Sequence, residues 1–150
     1  MAKIKKLKLS LKTSPEAFAG TGANIYLGIA TGGAGRLYRV PTRQGDLAAG
    51  NLDIYETELA DGPDLAHITG LVLVNGMNGT NPGWRVLWAR VEAVDGDGRA
   101  WLLADAMLQR WLDTKDGASP AAFLPLKHPF ELLETGDTIA APGQTFLAID

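Results

Sequence analysis

No cysteine occurs anywhere in the 150 residues. That removes disulfides, thiolate metal sites and a cysteine nucleophile together, and leaves the redox compartment open. Imidazole chemistry would rest on two histidines, His67 and His128, and neither stands in a metal or nucleophile motif. Both read as structural. Ser10, Ser14 and Ser119 lack the G-x-S-x-G elbow, and the GTG and GGAG turns lack the helix and lysine of a phosphate loop. Long apolar runs are missing too: the start, MAKIKKLKLSLKTS, is basic but broken by polar residues, so no signal peptide or transmembrane segment is visible. By default the chain is expected in the cytoplasm. Nor is there an excess of positive charge. With 14 Lys and Arg against 17 Asp and Glu the net charge is -3, which gives duplex phosphates nothing to be neutralised by, so nucleic acid is not an expected partner.

What is present is alternation. Leu7, Leu9 and Leu11 are apolar between Lys6, Lys8, Ser10 and Lys12, the period of a half-buried strand with the lysines on one face. Ala23, Ile25, Leu27 and Ile29 repeat the pattern before the breaker TGGAG. RLYRV is a third strand stopped by Pro41, and LDIYETEL, after a polar loop, a fourth. HITGLVLVNG is apolar on both parities, as expected of a central, well-covered strand. WRVLWARVEAV, the tight turn DGDG and RAWLL follow. One segment conflicts: in WLLADAMLQRWLD, Leu103, Met107, Leu108 and Trp111 fit helical spacing. Residues 114–150, interrupted by Pro and Gly, are expected to pack on the same domain as irregular chain with one or two short strands, TFLAID among them. Six or seven short strands at spacings near ten residues, joined by Gly and Pro turns, predict an antiparallel β-sandwich.

Three pieces in order, AGTGANIYLGI (19–29), LAAGNLDIYETELADGPDLAHI (47–68) and NGTNPGWRVLWARVEA (78–93), with RWLD at 110–113, resemble the PLAT domain shared by lipoxygenases, some lipases, bacterial alpha-toxins and polycystins. The resemblance covers about residues 3–113. It implies an all-β, eight-stranded sandwich with 114–150 as an extension. It also implies strand rather than helix before RWLD. Functionally it implies a non-catalytic module that docks to a lipid or membrane surface or to a protein partner, often with calcium at the loop tips.

Calcium binds six to eight oxygens, tighter with more carboxylates. Where the family usually carries acids, this chain has Gly22, Ala48 and Gly76. Asn24, Asp53, Asn75 and Asn78 remain as oxygen donors, of which Asp53 alone is charged, so no cofactor is expected beyond a weak calcium site. Apolar loop residues are the other means of docking. The resemblance places the loops of Phe18 and Met77, next to Asn78, at one end of the sandwich. For Phe18, folding back on the core is the narrowly favoured reading over exposure, whereas Met77, set among Gly and Asn, is expected to be exposed. Lys6, Lys8 and Lys12 form a possible basic face for lipid phosphates, against which stands the ordinary use of such lysines, protection against aggregation. Trp84, Trp88, Trp101 and Trp111 fit a sugar platform or core packing, and packing is the simpler. The second function class is a structural or assembly subunit that self-associates through the sandwich and tail. The oligomeric state is not set by the sequence.

Overall fold

A computed structural model describes residues 3–133; the later part of the expected C-terminal extension, TFLAID included, lies outside them. The chain folds as two antiparallel sheets. Strands β1 (Ile4–Thr13), β4 (Leu52–Glu58), β6 (Trp84–Asp95), β7 (Ala100–Leu112) and β9 (Leu126–Leu133) form one, in the order β4-β1-β6-β7-β9. Strands β2 (Ile25–Thr31), β3 (Ala34–Arg39), β5 (Gly70–Asn75) and β8 (Ala121–Leu124) form the other, in the order β3-β2-β5-β8. This is the all-β, PLAT-like sandwich of the sequence reading, with nine strands among the described residues rather than eight. The segment 121–133, broken at Pro125, adds a strand to each sheet because β8 pairs with β5 and β9 with β7.

The inner faces supply the core. Leu7, Leu9 and Leu11 of β1, side by side with Val86, Ala89 and Val91 of β6, face Leu27 and Ile29 of β2 and Leu71 and Leu73 of β5 in one buried cluster. Trp84 opens β6 fully buried, and its indole N–H donates to the Thr13 hydroxyl at 3.0 Å, which satisfies the one polar atom that so large a side chain brings inside. The DGDG turn is a hairpin: Gly98 takes φ +81, and the Asp95 amide donates to the Arg99 carbonyl at 2.9 Å.

Residues 100–112 are strand throughout, paired to β6 on one side and β9 on the other. The helical spacing fails on burial, since Met107 is 64% exposed and Trp111 36%. It arises because β7 carries two irregularities against β6. The partner of Val86 is Arg110 but that of Trp88 is Met107, and the partner of Val91 is Ala104 but that of Glu92 is Leu102. Each bulge adds a residue and resets the parity, which also lengthens the interval from Trp101 to Trp111.

The two outer faces differ. On the five-stranded sheet, cross-strand rows read Glu58–Lys6–Val94, Glu56–Lys8–Glu92 and Ile54–Ser10–Arg90–Asp105. On the four-stranded sheet they read Arg39–Tyr26–Val74–Ala121 and Leu37–Gly28–Val72–Phe123, with Gly35–Ala30–Gly70 below. β5 is central in that sheet as expected, but the described residues do not cover its outer side: Val72 and Val74 stay half-buried.

Candidate functional site

Four connections meet at one end of the sandwich: 14–24 after β1, 40–51 after β3, 76–83 after β5 and 113–120 after β7. Side chains tie them together. The Thr21 hydroxyl donates to the Pro82 carbonyl at 2.7 Å, and the Asn24 amide to Asn78 Oδ1 at 2.7 Å. The Gly76 amide donates to the Asn24 carbonyl at 2.7 Å. Asn75, 2% exposed, donates from Nδ2 to the carbonyls of Pro82 (2.7 Å) and Leu112 (2.9 Å), and its Oδ1 accepts the Met77 amide at 3.0 Å. The loops of Phe18 and Met77 therefore share one end and one hydrogen-bonded base.

Phe18 projects from that base, 91% exposed, at φ +64, in a turn closed by the Ala19 amide on the Glu16 carbonyl at 3.2 Å. It does not fold back on the core. A left-handed conformation costs a bulky residue roughly 1 to 2 kcal/mol, and exposing an aromatic ring in water adds to that. Met77 shares the backbone conformation (φ +58) but is half-buried, less exposed than its Gly and Asn neighbours suggest. Among the described residues six non-glycine residues have positive φ, and five of them (Phe18, Leu47, Met77, Asn81 and Asp116) lie in these four loops, so backbone strain concentrates where the molecule presents its tips.

The proposed calcium donors do not converge. Asn24 Oδ1 accepts the Arg39 guanidinium at 2.9 Å, which puts a positive charge where a cation would sit. The Oδ1 atoms of Asn75 and Asn78 are committed to backbone amides. Asp53 belongs to the other sheet, where Oδ2 accepts the Leu47 amide at 2.9 Å. Burial pushes its carboxyl up, the Leu47 bond opposes this and the Asp46 charge adds to it. Gly76 has no room for an acid, because a Cβ there would lie 2.8 Å from the Asn24 carbonyl oxygen. This donor set does not fit calcium.

The lysine row is interleaved with acids rather than basic. Lys6 Nζ reaches Glu56 at 3.4 Å, Lys12 Nζ donates to the Gly50 carbonyl at 2.7 Å, and Arg90 bridges Glu92 (3.0 Å) and Asp105 (3.5 Å). Lys8 stands opposite Glu56 and Glu92. Two features escaped the sequence reading. Trp111 lies on the outside at the loop end, cross-strand from Arg85, whose guanidinium pairs with Glu16 in the Phe18 turn; the buried Leu112 beside it gives the parity away. A groove of about 400 Å³ runs beside β4 between Pro41, Arg43, Asp46, Asp53, Tyr55 and Glu56. There the Tyr55 hydroxyl donates to Asp46 at 2.8 Å, and burial first, then that bond, pushes the phenol up.

The sequence matches no protein-family model, and no curated protein matches it. Solved structures do match the fold. Alpha-toxin from Clostridium absonum superposes with a TM-score of 0.64 at 18% identity, over 83% of this chain and 32% of the toxin. An alpha-toxin from an avian strain of Clostridium perfringens gives 0.62 at 19%, over 83% and 32%. Coral 8R-lipoxygenase, described as activated by calcium via a C2-like domain, gives 0.57 at 18%, over 81% and 17%. The chain thus spans about a third of the toxins and a sixth of the lipoxygenase. At these identities the likeness is one of fold.

Proposed function

We propose that this sandwich is a non-catalytic docking module that engages a lipid surface, or an apolar surface on a protein partner, through the loops at its Phe18 end, without calcium. The observation that carries the reading is Phe18: an aromatic ring 91% exposed on a strained turn that is fixed to the core through the Ala19–Arg85 backbone bond. Met77 in the neighbouring loop and Trp111 on the adjoining rim extend the apolar end. The fold supports the reading by analogy, since calcium activation through a C2-like domain is described for the coral enzyme. Here Arg39 on Asn24 argues against the metal. Among the described residues no helix is long and apolar enough to cross a membrane.

Burying Phe18 is worth roughly 1.5 to 3 kcal/mol and the half-buried Met77 adds less. The sum stays near or below the about 4.1 kcal/mol of a millimolar dissociation constant. Docking of one copy is weak and is measured at high lipid. Liposome flotation with EDTA and with calcium tests it. Equal flotation in both, lost in a Phe18→Ser, Met77→Ser double variant, is expected. No flotation overturns the membrane reading, and flotation only with calcium overturns the metal-free mechanism.

A further inference from the structure

Strand β4 is the outermost of its sheet, so one row of its backbone groups has no neighbouring strand. The ladder to β1 fixes which row. At its two ends the Leu59 amide donates to the Lys5 carbonyl at 2.9 Å and the Thr13 amide to the Asn51 carbonyl at 3.0 Å, with an unbroken register between them. Hydrogen-bonded pairs alternate in an antiparallel ladder, so Asp53, Tyr55 and Thr57 turn their amides and carbonyls to β1, and Leu52, Ile54, Glu56 and Glu58 turn theirs outward. Among the described residues no hydrogen bond takes those outward groups. The groove of about 400 Å³ runs along them, lined by Ile54 and Glu56 from one face of β4 and by Asp53 and Tyr55 from the other, with Pro41, Arg43 and Asp46 as its far wall. Lining by both parities places it at the strand's edge rather than on a face. The other outer strands differ. β8 has four residues, β9 is interrupted by Pro129, and β3 carries Arg36 and Arg39 but no acid. Short strands and proline blunt a sheet edge, whereas β4 has seven residues, no proline and no bulge against β1.

The geometry points to β4 as the docking edge for an extended, basic peptide that adds to this sheet as a sixth, antiparallel strand. The unpaired backbone row selects a strand, and charge selects a basic one. In the groove Asp46 accepts the Arg43 amide and the Tyr55 hydroxyl, and Asp53 accepts the Leu47 amide. Among the described residues no cation pairs with either acid. On the outer face Glu56 and Glu58 flank the same edge, backed on β1 by Lys8 and Lys6. The Lys6–Glu56 pair, at 3.4 Å, is exposed and contributes little. A second copy fits this edge worse. In the two-fold register that pairs the whole strand, Glu56 falls on Ile54 and Glu58 on Leu52, and each edge brings its own acids to the other. Residues 134–150 match no better, since they hold three acids and no Lys or Arg. An antiparallel peptide reading Lys-Thr-Lys-Val-Val-Lys-Val sets Lys beside Glu58, Glu56 and Asp53, and Val beside Ile54 and Leu52. The inference uses neither Phe18 nor Met77.

Fluorescence anisotropy of that peptide, labelled at its N-terminus and amidated at its C-terminus, is the test, with far-UV circular dichroism to verify the fold of each variant. The wild type is expected to bind with a dissociation constant below about 1 mM, and the same peptide with Glu in place of Lys at least about 10-fold more weakly. Ile54→Pro abolishes binding by removing a central outward amide; the β1 ladder does not use that amide, so the fold is kept. Ile54→Ala, which retains the amide, weakens binding by about 5-fold or less. Glu56→Gln together with Glu58→Gln removes two cross-strand charge pairs and weakens it by about 2- to 30-fold. Phe18→Ser leaves it unchanged. No binding with about 1 mM protein, an acidic peptide that binds as well, an unaffected glutamine double variant, or an Ile54→Pro that binds like Ile54→Ala overturns the inference. So does binding lost in Phe18→Ser, which assigns the peptide to the loop end. Wild-type self-association in sedimentation velocity that Ile54→Pro abolishes assigns the edge to a second copy and overturns it too.

Discussion

Asn75 is the most sharply testable residue at the Phe18 end, because its side chain ties both ends of the 76–83 loop to the last residue of β7. Replacing it with Ala removes bonds to Pro82, Leu112 and Met77. The Pro82 carbonyl keeps the Thr21 hydroxyl, but the buried Leu112 carbonyl loses its side-chain donor. Three bonds at about 1 kcal/mol each, plus part of the 1 to 3 kcal/mol cost of a buried unpaired group, give about 3 to 5 kcal/mol. For a domain of this length that lowers the melting temperature by roughly 6 to 20 °C at 2 to 4 °C per kcal/mol. Asn75→Asp discriminates the cause. It preserves shape and the bond from Met77, yet turns an oxygen toward two carbonyls, so at pH 7 it should cost at least as much as Ala. As the pH falls toward 4 the new acid gains a proton it can donate, and the deficit against wild type at the same pH should shrink. Urea unfolding of the three proteins at both pH values measures this. A loss below about 1 kcal/mol for Ala, or an Asp variant as stable as wild type at pH 7, refutes the role assigned to Asn75.

Other outcomes follow from single sites. Asp95 is buried, which works against its charge. The Trp101 indole, the amides of Arg99 and Asp97 and the Arg99 charge outweigh burial and hold its carboxyl below the ordinary 3.8. A depressed folded value stabilises above the unfolded one and is lost as pH falls through the folded one. Asp95→Ala should therefore cost most near pH 7 and progressively less below about pH 4 in urea titrations; a cost that grows on acidification contradicts this. Gly76→Asp, which supplies the acid that the PLAT resemblance implies at this position, should confer no micromolar calcium affinity by titration calorimetry and should lose about 1 to 3 kcal/mol through the contact at Asn24. Calcium binding with unchanged stability would show that the loop has room after all.

The strands with clean alternation were legible because one face is buried and the other is not. β1, with Leu7, Leu9 and Leu11 against its lysines, is the clearest case. β7 was not, because two bulges reset its parity and left apolar residues at spacings that a helix also produces. Val72 and Val74 show a different limit: apolar residues on both parities announce that both faces of β5 are apolar, but not whether the chain itself covers the second. At the Phe18 end the loops were placed together by the resemblance, yet Asn24, Asn75 and Asn78 carry groups equally suited to metals and to backbone caps. Only the geometry distinguishes these uses. Trp111 was hidden for the same reason as β7, since its outward direction depends on the bulge at 108–109.

Because the chain lacks cysteine, a single Ala17→Cys substitution, at an exposed position beside Phe18, labelled with a polarity-sensitive fluorophore reports whether this tip meets an apolar surface while Phe18 is kept. Asp97→Cys, at the opposite end of the sandwich, serves as the reference. With EDTA present, adding liposomes should shift the emission of the label at position 17 to the blue and leave that at 97 unchanged, and the shift at 17 should vanish once Phe18→Ser is added. No shift at 17, an equal shift at both positions, or a shift at 17 that persists in Phe18→Ser would contradict a docking end built on Phe18.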